Sequence, residues 1–176
     1  MRESNPKQFY VCGRMVSVDE WGPDLWKLLH SYSLYAGKNK PEIAALDEVR
    51  GWKTFIIATE AVLPCRKCKD HMREWRLKNP IEVITPYRGE YLKERVCSWL
   101  WELHESVNEK RGIPKEQRLP IDLLAEKYST PSIQSLSQTI TNLTEKFEKA
   151  VLHRQIDPPY LREWKRALLY LTRFIS

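Results

Sequence analysis

The chain has four cysteines, and two of them lie three residues apart in Leu63-Pro64-Cys65-Arg66-Lys67-Cys68. A Cys-x-x-Cys pair either opens and closes a disulfide or supplies two thiolates to a metal. Pro64 reads as a helix start, which puts Cys65 in the first turn, near unsatisfied backbone N–H groups and the positive dipole end. Both favour the thiolate, and Arg66, Lys67 and Lys69 add positive charge around it. A thiol of depressed pKa is a good exchange site and a good leaving group. The zinc alternative needs more ligands, for which His71, Cys97 and His104 are the candidates, but neither a second Cys-x-x-Cys nor a closely spaced histidine pair is present. Spacing favours redox chemistry. A thioredoxin-like site sets its pair after a strand, whereas both flanks here read as helical. Cys97 reads as a buried core thiol. Cys12 is either an ordinary N-terminal thiol or, with a partner cysteine, an electron shuttle.

The pair must be positioned by the helices around it. Gly22-Pro23 predicts a helix to about Ala36, with Leu25, Leu28, Leu29 and Tyr32 on one stripe and Trp26 and His30 on an adjacent face. Pro41 precedes a second helix, about Ala44 to Val62, with Val49, Trp52, Phe55, Ile56 and Val62 as its apolar set. The cysteine helix runs towards Leu77 and breaks at Asn79-Pro80. A long helix from Gly89 to Arg111 carries Val96, Leu100, Leu103 and Val107 on one stripe, and Cys97, Trp101, His104 and Asn108 on another. Four helices with short connections predict an all-α antiparallel bundle. Residues 113–131, rich in proline and charge, read as a linker with a short helix at 120–128. Beyond it, Ile133, Leu136, Ile140, Leu143, Phe147 and Ala150, then Leu161, Trp164, Leu168, Leu171 and Ile175, step by threes and fours. They predict an additional C-terminal helical hairpin, which either packs on the bundle as core or offers a partner surface.

Composition agrees with a helical domain: 176 residues, 42% hydrophobic, only six glycines, and seven tryptophans that suggest aromatic packing or a flat ligand. The net charge of +6 is spread among acidic residues, so nucleic-acid binding is not indicated. No stretch approaches the roughly 20 apolar residues of a membrane span, and Met1–Pro6 lacks the apolar core of a signal peptide. The expectation is a reducing compartment, where a Cys-x-x-Cys is catalytic or metal-binding rather than a staple. Thiol oxidation needs an electron acceptor, and the Trp and His residues on the first and fourth helices suggest a bound cofactor.

Three segments together resemble the Erv/ALR family of FAD-dependent sulfhydryl oxidases. Trp21-Gly22-Pro23-Asp24-Leu25-Trp26-Lys27-Leu28-Leu29-His30 is similar to its Gly-Pro-x-x-Trp-x-x-Leu-His helix. Pro64-Cys65-Arg66-Lys67-Cys68-Lys69-Asp70-His71 is similar to its Pro-Cys-x-x-Cys-x-x-His helix. Trp99 to Lys110 resembles its Trp-Leu-x-x-Leu-His-Asn-x-Val-Asn-x-Lys helix, with Glu105 where the family has asparagine.

The resemblance covers about residues 20–114 and implies a bundle with FAD at its mouth, usually a homodimer. On it, the domains run 1–20 (N-terminal segment), 21–114 (oxidase), 115–131 (linker) and 132–176 (helical extension). It makes Cys68 the flavin-proximal cysteine and Cys65 the exchange cysteine. It assigns Trp26, His30, His104, Asn108 and Lys110 to FAD contact and Gly22 and Val107 to shaping the pocket, with rings that sandwich adenine or isoalloxazine. The family's lysine after this helix is Ile113 here, leaving Arg111 or Lys115 to supply that charge. No C-terminal cysteine pair braces the site and no N-terminal shuttle pair precedes it. A minimal core of this kind looks most like members encoded by large DNA viruses. That implies thiol-bearing protein substrates, oxygen as acceptor, and work in the host cytoplasm, a virus factory or the virion.

Overall fold

Ser17 opens the first helix earlier than the Gly22-Pro23 signal predicts. Its backbone N–H donates to the Glu20 carboxylate (3.1 Å), a capping-box bond that starts α1 at Val18–Ser33. Pro23 therefore lies inside α1, where it removes one backbone hydrogen bond instead of occupying the free first position. The computed structural model describes residues 15–38 and 41–175, so Cys12 lies outside the described residues. The remaining helices are α2 (Glu42–Val62), α3 (Arg66–Lys78), α4 (Gly89–Lys110), α5 (Leu124–Tyr128), α6 (Ser137–Leu152) and α7 (Pro158–Ile175), with short 3-10 turns between them. The fold is all-α, as the periodicity predicts.

The connection from α1 to α2 depends on one glycine. Gly37 has φ +71°, and a Cβ there would collide with the backbone carbonyl of Gly89 at the start of α4. Its N–H also donates to the buried Glu48 (2.8 Å), which ties the turn to α2. Gly112, φ +70°, ends α4 where the sequence predicts.

The C-terminal hairpin packs as core. α7 lies along α2 and α6 along α1, while α1 also packs on α4 and α3 packs on both α2 and α4. Trp164 of α7 is fully buried, meets Phe147 of α6 edge-on at 5.2 Å, and donates its indole N–H to Thr59 of α2 at 3.2 Å. Tyr32 of α1 bonds Thr172 of α7 at 3.0 Å, and Lys146 of α6 pairs with Asp24 of α1 at 2.6 Å. One apolar cluster thus runs from α1 to α7. Burying rings of this size contributes about 2–3 kcal/mol each.

Residues 113–131 are pinned across α1 and α4. The Trp101 indole donates to the Leu119 carbonyl (2.8 Å), Ser31 to the Tyr128 carbonyl (2.8 Å) and Tyr35 to the Thr130 carbonyl (2.6 Å). Leu124 buries its side chain beneath them. Among the described residues, no helix is long and apolar enough to cross a membrane.

Candidate functional site

Cys65 stands one position earlier than expected. It is the N-cap of α3, with extended backbone, and its Sγ accepts the Cys68 N–H at 3.2 Å. Cys68, rather than Cys65, occupies the first turn. The physical reason lies in Pro64: it ends α2's run but precedes the cap instead of taking the first helical position. The favourable N–H therefore points at Cys65 while the dipole acts most directly on Cys68. The two are joined as a disulfide with Cα atoms 5.2 Å apart, and both are half-buried against the core.

The body of α3 is fixed while its N-terminal end faces outward. Glu60 of α2, buried, accepts from Arg73 (3.0 Å) and Arg76 (2.8 Å). Trp75 meets Trp99 of α4 edge-on at 4.8 Å, and the Trp99 indole donates to the Asn79 carbonyl at 3.0 Å. Arg66, Lys67 and Asp70 are exposed around the disulfide.

The aromatic and histidine residues of α1 and α4 meet in one stack. The Trp26 and His104 rings lie 3.9 Å apart and nearly parallel, at 7°. His30, fully buried, places its Nε2 2.9 Å from His104 Nδ1, so one of the two donates and the other accepts. Tyr128 of α5 covers His30 at 4.7 Å. Burial lowers His30 from 6.5 to about 3, with His104 and Lys127 adding to the effect. Burial likewise lowers His104 to about 4, opposed in part by Glu105. Both rings are neutral at physiological pH.

Beside this stack is a cavity of about 110 Å³ lined by His30, Trp101, His104, Glu105, Asn108, Arg118 and their neighbours Gln117, Leu119 and Lys127. Arg118 is held there by its Nε–H to the Ile113 carbonyl (2.8 Å) and by Glu105 (3.4 Å), which also accepts from Asn108 (3.0 Å). His30 Nδ1 is buried with no protein partner.

These features fit one end of a flat, phosphate-bearing cofactor. There is an orphaned buried nitrogen, a ring face and two cations, in a cavity smaller than the roughly 300 Å³ and upward typical of whole ligands. Trp26 and His104 already stack directly, so no ring fits between them, and a flat ligand must use an outer face.

The structure brings together Trp26, His30, His104 and Asn108. Gly22 is buried within α1, Val107 is half-buried on α4, and Lys110 is exposed at the end of α4; none of these three lines the cavity. Lys110 instead acts through its charge on His71 of α3, whose pKa is lowered by burial and then by that lysine. Arg111, a candidate for the missing family lysine, pairs with Asp19 at 3.0 Å, and Lys115 is exposed. The cations at the cavity are Arg118 and Lys127, in a stretch whose composition is that of a linker and gives no sign of a site. Cys97 is a buried core thiol, as expected, donating to Ser33 Oγ at 3.2 Å, with burial raising its pKa.

The zinc alternative does not find its ligands. His104 bonds His30, Cys97 bonds Ser33, and no group of three or more metal-ligating side chains comes together among the described residues.

Residues 23–129, more than half of the chain, match the Erv1 / Alr family. The chain belongs to the Erv1/Alr family. Among its relatives is the FAD-linked sulfhydryl oxidase of African swine fever virus, 25% identical over 96 residues, covering 51% of this chain and 66% of that protein. The mitochondrial FAD-linked sulfhydryl oxidase erv1 of Schizosaccharomyces pombe is 28% identical over 103 residues, covering 57% of this chain and 50% of that protein. The FAD-linked sulfhydryl oxidase ERV1 of Arabidopsis thaliana is 25% identical over 97 residues, covering 55% and 45%. The chain therefore spans about half to two thirds of the length of these curated Erv1/Alr relatives. No solved structure matches it. The family match ends at residue 129, so α6 and α7 lie beyond it.

Proposed function

We propose that this chain is an FAD-dependent thiol oxidase that forms disulfides in protein substrates. The observation that carries the reading is the Cys65–Cys68 disulfide at the outward end of α3, within the stretch that matches the Erv1/Alr family. A substrate thiolate attacks Cys65 Sγ, the Cys65–Cys68 bond breaks, and Cys68 leaves as a thiolate. A second substrate thiolate then attacks the substrate sulfur of the mixed disulfide. The substrate disulfide departs, and Cys65 and Cys68 are left reduced by two electrons. The Cys68 N–H that reaches Cys65 Sγ stabilises charge on the released sulfur. When bound, FAD supplies the two-electron acceptor that returns the pair to a disulfide, with oxygen as final oxidant and hydrogen peroxide as product.

On this reading the outer faces of Trp26 and His104 stack a flat ring, His30 and Asn108 offer hydrogen bonds, and Arg118 and Lys127 meet the diphosphate. Lys110 extends the positive charge towards α3, while Gly22 and Val107, outside the cavity itself, support the helices that carry its lining. Oligomerisation belongs to the proposal too. α6 and α7 cover faces of α1 and α2, so the second copy of a homodimer must dock elsewhere. The African swine fever virus relative supports a viral setting, in which disulfides of virion proteins form in the host cytoplasm, virus factory or particle.

The test is direct. Purified protein carries one FAD per chain, absorbs near about 450 nm as the cofactor does, and consumes oxygen with dithiothreitol while releasing peroxide. Colourless protein with stoichiometric zinc contradicts the reading.

A further inference from the structure

The first turn of α7 reaches Lys69, the residue that follows the redox pair. The Lys69 N–H donates to the Cys65 carbonyl at 2.9 Å, so the Lys69 side chain rises one helical turn beyond the exchange cysteine. Its ammonium lies 5.4 Å from the ring centroid of Tyr160, in the first turn of α7. Tyr160 is 43% exposed, and Pro158 and Pro159 beside it are exposed as well. This corner is held in place. Gln155 clamps Val16 through two bonds, accepting its N–H at 2.8 Å and donating to its carbonyl at 3.0 Å, and Ile156 is buried.

Charge at this corner is unbalanced. Among the described residues, no carboxylate forms an ion pair with Arg66, Lys67 or Lys69. Glu60, the buried acid behind α3, is already shared by Arg73 and Arg76. Asp157, Glu60 and Asp70 each act on Lys69, but only at longer range than an ion pair. A polypeptide approaching Cys65 therefore meets two exposed cations on α3 and a third, Lys69, flanked by an aromatic ring from α7.

We propose that this face selects substrate polypeptides whose reactive thiols are flanked by acidic residues, with Lys69 and Tyr160 as specificity-determining residues. The inference rests on the oxidase reading above and deepens it. Substrate carboxylates pair with Arg66, Lys67 and Lys69, while the Tyr160 ring and the two prolines give the chain beside the thiol a rigid apolar surface. Arg66, Lys67 and Lys69 lie within the family match and Tyr160 beyond it, so the extension adds only the aromatic part of this recognition.

The test uses the full flavin-loaded chain and two reduced dithiol peptides that differ only in Asp or Lys beside their cysteines. The expected kcat/KM favours the acidic peptide about tenfold at low salt, as a few partly screened ion pairs allow, and the preference shrinks as salt rises. The double variant Lys67→Glu with Lys69→Glu reverses the preference. Tyr160→Ala raises KM for the acidic peptide, and retained flavin absorption and melting temperature show that these variants are folded. Equal kcat/KM for the two peptides, or a preference for the basic one, overturns the inference even when the wild-type chain oxidises dithiothreitol. Failure to oxidise dithiothreitol at all brings down the oxidase reading itself, and this inference with it.

Discussion

The two ends of the site are built on opposite principles. At the cysteine end, a disulfide sits at the cap of α3 among exposed charges, with the body of the helix fixed by the buried Glu60. At the histidine end, half-buried Trp26 and His104 stack beside buried His30, and burial makes charging either imidazole costly. Thiol exchange with a macromolecule needs an open, charged approach, whereas a cofactor needs a closed face that excludes water. α4 serves both ends, with His104 in the stack and Lys110, at its C-terminal end, acting through its charge on His71 of α3.

The largest effect breaks the cysteine end alone. Cys65→Ser keeps a good capping oxygen but removes the exchange sulfur. Turnover of protein thiols, read by oxygen uptake, is expected to fall by roughly a thousandfold or more, as loss of a nucleophile does.

His104→Ala strikes the other end. It removes the stack on Trp26 and leaves both nitrogens of buried His30 without partners. Urea unfolding is expected to show a loss of about 2–4 kcal/mol, from an unsatisfied buried group plus a lost ring contact. The same variant should release FAD during gel filtration.

Acid separates the two ends without mutation. His30 and His104 have folded pKa values of about 3 and about 4, below the ordinary 6.5. Between pH 6.5 and 4 the unfolded chain binds protons that the folded one does not, so stability, complete above 6.5, declines as pH falls. The loss between pH 7 and 5 is expected to be about 2 kcal/mol for each histidine, about 4 kcal/mol for the two. Melting curves across that range check it, and replacing His30 with glutamine should flatten the slope.

The smallest effect sharpens the assignment of the cavity. Arg118→Gln should weaken FAD binding about fivefold, the worth of one partly screened contact to phosphate, measured by the fluorescence of released FAD. No change would shift the diphosphate towards Lys127 and Lys110.

Much of this arrangement was legible in the sequence. The apolar residues of α7 fall on one sharply defined face, and those of α2 mostly step by threes and fours, so Trp52, Phe55, Trp164 and Leu171 read as core from the sequence. Helix starts were less legible, because proline competes with capping. Ser17-x-x-Glu20 carried the true start of α1, and Pro23 masked it. Pro64 similarly hid the capping role of Cys65. Arg118 and Lys127 were not legible at all. Their segment has linker composition, and only the bonds from Trp101, Ser31 and Tyr35 bring it over the histidines. The partner of α2 was equally hidden, since an apolar stripe on α7 does not say which helix it covers.

The most direct measurement mixes FAD-loaded protein with dithiothreitol without oxygen and follows the flavin absorption. Wild type is expected to bleach rapidly, while Cys68→Ser, with FAD still bound, is not. Bleaching of Cys68→Ser at the wild-type rate would contradict this, because electrons would then reach the flavin without passing through the Cys65–Cys68 pair.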